Sequence, residues 1–350
     1  MAFNASQGIG TSRTTGHSDR QLAIKVFSGE VLTAFDTANI FLPLVQTRTI
    51  QSGKSASFAV IGRYDSAIAD HVPGNDVTPN LINAGERVIE IDKLKYASVF
   101  VDNFEEAMTH YEVRSQYSME MGRKLAKEVD KAIIAQLDAC VANTANTDDT
   151  NGAEGQPYAD VTAFSATTSY AVGDRVSYNG VVYVFTSAHA AGAWAAGDVE
   201  AVSVLTVDTA SATGNGAKGD EVLAALYDAQ TTMDEQDIPG ERYVVMSPKN
   251  YNRLVQSGAV HKDMTQGANG GIDTGNVVQV AGHNILVSNN VGADNIYMFT
   301  QNAVGVVKLL DLKSEVNYIP EKLGDLMTSS YAMGFGTLNN GCVIKLTTND

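Results

Sequence analysis

Residues Phe104–Val141 read FEEAMTHYEVRSQYSMEMGRKLAKEVDKAIIAQLDACV, a run without proline and with a single glycine. Leu125, Val129, Ala132, Ile133, Leu137, Cys140 and Val141 recur at steps of three and four, the spacing of one buried helical face. At 1.5 Å per residue this predicts a helix of roughly 55 Å. Asp102 or Asn103 can cap its start, and Glu105 and Glu106 occupy the first turn, where the helix dipole favours acids. An element of that length is a spine on which other parts must pack.

Upstream, Leu22–Phe35 (LAIKVFSGEVLTAF) carries apolar residues at helical spacing, after a polar Gly/Ser/Thr-rich start at residues 1–20. Thr47–Val60 and Glu86–Val101 alternate apolar and polar residues and read as two strands joined by a polar connection with a turn at Pro73-Gly74-Asn75-Asp76. A two-stranded ribbon has too few partners to be stable alone, so it must lie on its own domain or on a neighbouring subunit.

Downstream, Asn143–Gln156 (NTANTDDTNGAEGQ) is a linker by composition. Seven aromatics then crowd into residues 158–194, and DRVSYNGVVYVFTSA from Asp174 onward predicts a hairpin turning at Asn179-Gly180. Residues 158–205 read as a small all-β insert, closed off by a loop over Thr209–Gly219. A helix lined by Val222, Leu226, Gln230 and Met233 follows. Then come a strand at Arg242–Ser247, a helix at Pro248–Gln256, a glycine-rich loop at His261–Gly275 and a hairpin at Val277–Val287. Ile296–Leu312 and Leu326–Leu346 are β-rich. The fold class is α+β, with a non-local sheet that returns the chain to the long helix.

The 350 residues carry a net charge of −16, with 44% hydrophobic residues, which suits one large or two ordinary domains and excludes a disordered acidic chain. Fourteen acids against Arg175 and Lys218 fall within 143–240, whereas the first 63 residues are mildly basic. The sign argues against a protein that grips a phosphate backbone over a wide surface. Cys140 and Cys342 give neither a disulfide framework nor zinc spacing. No apolar stretch is long enough for a membrane span, and the N-terminus lacks the pattern of a signal peptide.

Sequence motifs for catalysis are lacking. Gly53-Lys54-Ser55 has Arg48 where a phosphate-binding loop needs its first glycine, and a strand follows it. The six histidines are scattered without metal spacing, and Glu106 and His110 fit a surface pair on the long helix. The reading is a non-enzyme without cofactor or metal.

Several strings, in order, resemble the major capsid proteins of T7-like tailed bacteriophages: Lys25–Phe35 (KVFSGEVLTAF), Ser52–Phe58, Gly62-Arg63, Pro73-Gly74, Ile89–Leu94, Glu105–Tyr117, Ala303–Leu312 and Tyr331–Gly336. The resemblance spans the chain except roughly 143–215. It implies the HK97-like capsid fold: an N-terminal arm (1–46), an extended β-hairpin or E-loop (47–101), a peripheral domain with the spine helix (102–142 and 296–350), and an axial domain (216–295). Residues 143–215 would hold linkers and the inserted module. The implied function is self-assembly into hexamers and pentamers of an icosahedral shell enclosing double-stranded DNA without sequence-specific binding. A scaffolding protein would guide assembly and a portal protein would occupy one vertex. The chain would be made in the host bacterial cytoplasm and reside in the virion capsid. On this reading Lys54, Phe58, Arg63, Asn75 and Asp76 of the ribbon contact a neighbouring subunit, and no motif supports an isopeptide crosslink at Lys54.

The insert departs from that pattern. Tyr170–Tyr183 (YAVGDRVSYNGVVY), followed by His189–Gly192 and Trp194, resembles small chitin-binding-type carbohydrate modules, with Phe164 where such modules usually carry a Trp. The resemblance implies Tyr170, Tyr178, Tyr183 and Trp194 as glycan-stacking residues, with host-surface glycans as partners. In a module of about 50 residues most of those rings must also build the core, so a structural role on the outer surface stands beside the binding one. The alternative for the whole chain is a free carbohydrate-binding or adhesion protein built around 158–205.

Overall fold

The computed structural model describes residues 19–61, 84–102, 113–141, 162–172, 174–178, 181–201, 204–210, 212–235, 238, 240–257, 279–280 and 282–349. Helix α1 (Asp19–Ala38) contains the expected Leu22–Phe35 helix. Its face of Phe27, Val31, Ala34 and Phe35 is buried. Helix α2 (Val113–Val141) is the long helix over 29 residues, about 43 Å; Phe104–Glu112 and the expected cap at Asn103 lie outside the described residues. Its stripe of Leu125, Val129, Ile133, Leu137 and Cys140 is buried as the spacing requires. The two helices meet at Gly122, where a Cβ would stand 2.5 Å from the Val31 carbonyl oxygen.

Two sheets pack with this helix pair. The four-stranded sheet has β1 (Gln46–Thr49) and β4 (Lys95–Asp102) at its edges, flanking the long hairpin of β14 (Val304–Ile319) and β15 (Gly324–Thr337). β1 runs parallel to β14 and β4 antiparallel to β15.

The six-stranded sheet has the order β11 (Gln279–Val280), β12 (His283–Val287), β10 (Arg242–Met246), β13 (Asn295–Thr300), β16 (Val343–Asn349), β9 (Val204–Asp208). Ile296–Thr300 are all buried, the signature of a strand covered on both faces. Helix α3 (Asn215–Glu235) buries Val222, Leu226, Ala229 and Met233 in the same core. Helix α4 (Pro248–Val255) packs on α3, opened by Pro248 and capped by Ser247, whose Oγ accepts from the Asn250 amide.

These pairings join segments that the expected domain limits separate. Residues 204–208 are not linker or insert: β9 pairs in parallel with β16. Residues 296–300 and 343–349, expected in the peripheral domain, pair in the sheet of β10. Parallel partners some 140 positions apart leave no local trace, because a crossover of any length can join them. Of the expected 277–287 hairpin, Gln279 and Val280 pair with Asn284 and His283 of β12, and Gly282 takes a positive φ of 77°.

The two expected long strands are each broken. The first becomes β1, a bend at 50–54, and β2 (Ser55–Ile61); the second becomes β3 (Ala84–Glu90) and β4. β2 and β3 pair antiparallel as a ribbon, from Ser55 opposite Glu90 to Ile61 opposite Ala84. The breaks arise because each chain segment leaves a different edge of the four-stranded sheet to meet the other.

The insert forms its own sheet, β5 (Thr162–Ala163), β6 (Arg175–Tyr178), β7 (Val181–Phe185), β8 (Val199–Ala201), in that order. Tyr178 pairs with Val181, and the expected turn residues Asn179-Gly180 lie outside the described residues.

Candidate functional site

The insert gathers its aromatics around Phe164 and Trp194. Trp194 stacks on Tyr178 with centroids 4.0 Å apart and planes 13° from parallel, and meets Tyr183 and Phe164 edge-on at 4.9 and 5.0 Å. Tyr170 stacks on Phe185 at 4.7 Å, and its hydroxyl accepts the Ser165 amide at 2.8 Å. All four expected glycan-stacking residues are therefore brought together, and each is only partly exposed. One face of the Trp194 ring is covered by Tyr178 and so is closed to a sugar. Phe164 is the hub of the cluster, meeting Tyr170, Tyr178, His189 and Trp194.

A polar latch closes the same module and has no signature in spacing. His189 Nδ1 and Asp198 Oδ2 lie 2.8 Å apart, and Ser187 Oγ donates to Asp198 Oδ1 at 3.0 Å. The hydrogen bonds from His189 and Ser187 hold the Asp198 carboxyl below the usual carboxylate range. Tyr170 and His189 exchange backbone hydrogen bonds of 2.8 and 2.9 Å, tying the first turn to the last.

The ribbon base is the second candidate site. Phe58 is buried with Ala56, Ile89 and Ile91 against Val307, Ala332 and Leu338 of its own chain. At 6% exposure Phe58 packs within its own subunit, where a contact with a neighbouring subunit was expected. Lys54 is instead exposed at the ribbon base, its ammonium 2.8 Å from Glu90, and this partner raises the lysine pKa while lowering that of Glu90. Arg63, Asn75 and Asp76 lie outside the described residues.

The surface that sequence reasoning missed is the open face of the four-stranded sheet. Along β4 the residues alternate in burial, and Tyr96 and Phe100 stand 69% and 39% exposed. Lys322 lies over the Phe100 ring at 5.9 Å, and Leu323 beside it, in left-handed conformation, is 65% exposed. The signal was present as aromatics on the polar phase of the KYASVFVD alternation.

Two acids on α2 lock the body together. Asp130 accepts from the Phe41 and Ile40 amides at 3.2 and 3.4 Å and from Asn290 at 3.0 Å. Asp138 accepts from Tyr297 and Lys345, both at 2.8 Å. Burial pushes the Asp130 carboxyl and the Tyr297 hydroxyl above their ordinary values. Cys140 and Cys342 are buried free thiols. Among the described residues no cluster of three metal-ligating side chains occurs, and no helix is long and apolar enough to cross a membrane.

Comparison with known proteins follows these two regions. A family model described as major capsid protein matches residues 57–181, and one described as carbohydrate-binding module family 5/12 matches residues 163–203. The major capsid protein of Escherichia phage T7 is 28% identical over 375 aligned positions, covering 96% of each chain. That of Enterobacteria phage T3 is 41% identical over 138 residues, 39% of this chain and 40% of the T3 protein, so this match spans less than half of that relative. The capsid structure of the cyanophage P-SCSP1u superposes with a TM-score of 0.61 at 31% identity, covering 100% of both chains. The mature capsid of bacteriophage PhiM1 gives 0.60 at 14% identity, over 89% of this chain and 87% of that one, a likeness of fold alone.

Proposed function

The chain belongs to the major capsid proteins of T7-like tailed bacteriophages, and from that premise we propose that it tiles an icosahedral shell as hexamers and pentamers around double-stranded DNA. Its fold is the HK97-like capsid fold, and its place is the virion capsid. The observation that carries the proposal is the likeness to a cyanophage capsid subunit along the whole chain at 31% identity. The surface supports it. Tyr96, Leu323 and Val88 are 69%, 65% and 58% exposed, and exposed apolar side chains are what a subunit keeps for its neighbours. A scaffolding protein during assembly, a portal at one vertex and synthesis in the host cytoplasm complete the reading. The role is structural, without catalysis.

Electron microscopy of the chain co-expressed with its scaffolding protein tests this. Closed shells are expected; a protein that stays monomeric with scaffold present overturns it. A free carbohydrate-binding protein built around the insert is not favoured, because the capsid likeness runs through the body as well as the module.

The match over 163–203 favours a second role for the same subunit: the insert binds host-surface glycans through Tyr170, Tyr178, Tyr183 and Trp194. Retention of assembled shells on chitin-type polysaccharide beads is the expected result. Shells that pass through unretained leave the module a purely structural part.

A further inference from the structure

We propose that the ribbon is aimed from within its own subunit, by a glycine seat on the β14–β15 hairpin that sets the direction of β2 and β3 before a neighbour arrives. The inference rests on the capsid reading and names the residues that prepare the subunit for assembly. Gly305 pairs with Gly336 across the hairpin, and Gly334 pairs with Val307 two positions on. Over these three glycines passes the end of β3. A Cβ at Gly334 would stand 2.5 Å from the Glu90 carbonyl oxygen, one at Gly336 2.7 Å from Ile89 Cγ1, and one at Gly305 2.8 Å from Ile89 Cδ1.

None of the three has a positive φ, so backbone conformation does not call for glycine there; close approach does. Seen from the ribbon, Ile89 is the wedge that fills the space the missing side chains leave. It is 4% exposed.

The ribbon base is also tied to itself and to β1. The Ile91 amide donates to the Lys54 carbonyl oxygen at 2.8 Å, and the Lys54 ammonium pairs with Glu90. The Arg48 guanidinium, on β1, donates to the Ser57 carbonyl oxygen. Phe58 and Ala56 share the apolar cluster of Ile89 with Val307 and Ala332. Both strands of the ribbon are thus bolted to the hairpin of the four-stranded sheet at their base, while Val88, on the opposite face of β3, stays 58% exposed. A docked base turns a floppy two-stranded ribbon into a directed arm, which removes ordering entropy from the later subunit contact.

Hydrogen exchange on the free subunit, paired with shell yield in the presence of scaffolding protein, tests the seat in the full-length chain. Gly336→Ala is expected to speed exchange in peptides covering 86–91 by roughly tenfold, to leave β10 and β13 protected, and to cut shell yield by roughly fivefold or more. In the Gly336→Ala/Ile89→Ala pair the clash is gone, so exchange and yield return to those of Ile89→Ala alone. If Gly336→Ala does not fold, Ile89→Ala carries the test, since it empties the seat without a clash; it must lower shell yield more than Val172→Ala, at an exposed position on the insert. Unchanged exchange at 86–91 overturns the seat, and a loosened ribbon that assembles at wild-type yield overturns its aiming role. Wild-type protein that forms no shells counts against the capsid reading instead, and the exchange arm on the free subunit still decides the seat.

Discussion

Asp138 on the long helix and Lys345 on the last strand are joined at 2.8 Å, across 207 positions of sequence. The same carboxylate oxygen accepts the Tyr297 hydroxyl, so one acid ties α2 to two neighbouring strands of the six-stranded sheet. Asp138→Ala takes the carboxylate acceptor from the Tyr297 hydroxyl, whose residue is 1% exposed and which keeps its Asn295 hydrogen bond, and leaves Lys345 without this partner. Asp138 is itself 45% exposed, which screens the pair. The expected loss is about 1–2 kcal/mol, read as a lower urea midpoint with unchanged slope. Lys345→Met, which keeps the Tyr297 bond, is expected to cost less than half of that.

Asp130 gives a pH dependence of definite sign. Burial raises its pKa above 3.8, against the opposing pull of three hydrogen bonds. The folded state therefore binds the proton more tightly than the unfolded chain. The contribution of this group to stability is complete below pH 3.8 and is lost as pH rises through the folded-state value. Glu90, Glu128 and Asp198, all lowered, act in the opposite direction, so the test is a difference: wild type minus Asp130→Asn must fall with rising pH from about pH 4. A flat or rising difference contradicts the assignment.

What the sequence made legible was whatever repeats locally. The 3.6-residue spacing of Leu125, Val129, Ile133 and Leu137 placed α2, and Asn179-Gly180 placed the β6–β7 hairpin. Long-range partners were not legible. Val204–Asp208 has the look of the insert that precedes it, and only its pairing with Val343–Asn349 assigns it to the body. Phe58 alternates correctly for a strand, yet alternation shows a buried face without showing whose surface buries it. The resemblance to carbohydrate modules named Tyr170, Tyr178, Tyr183 and Trp194 as glycan candidates, but stacking geometry alone reveals that Tyr178 occupies one face of Trp194.

The limits of the insert follow from that pairing. A chain lacking 162–201, with a short Gly/Ser link in its place, keeps β9 and is expected to fold and assemble. Extending the deletion to 208 removes the edge strand that pairs with β16 at Lys345–Asn349. It also removes Val207, 3% exposed in the core. Loss of one buried Val and a parallel strand costs several kcal/mol, on the order of 3–5, and should appear as insoluble protein or a melting temperature lower by about 10 °C or more. Equal melting of both deletions would show that β9 contributes nothing to the body.

Trp194 is the single tryptophan of the chain, so its fluorescence reports on the insert alone. The module has its own sheet and aromatic cluster, and its buried apolar surface is that of a marginal small domain. The emission change in urea is expected to precede the circular-dichroism transition of the body. Tyr178→Ala uncovers one face of the indole and removes a stack worth about 1 kcal/mol beyond area burial. It should shift the native emission to the red and move the fluorescence midpoint to lower urea while the body transition stays fixed. Coincident transitions in the wild type would show instead that insert and body unfold as one cooperative unit.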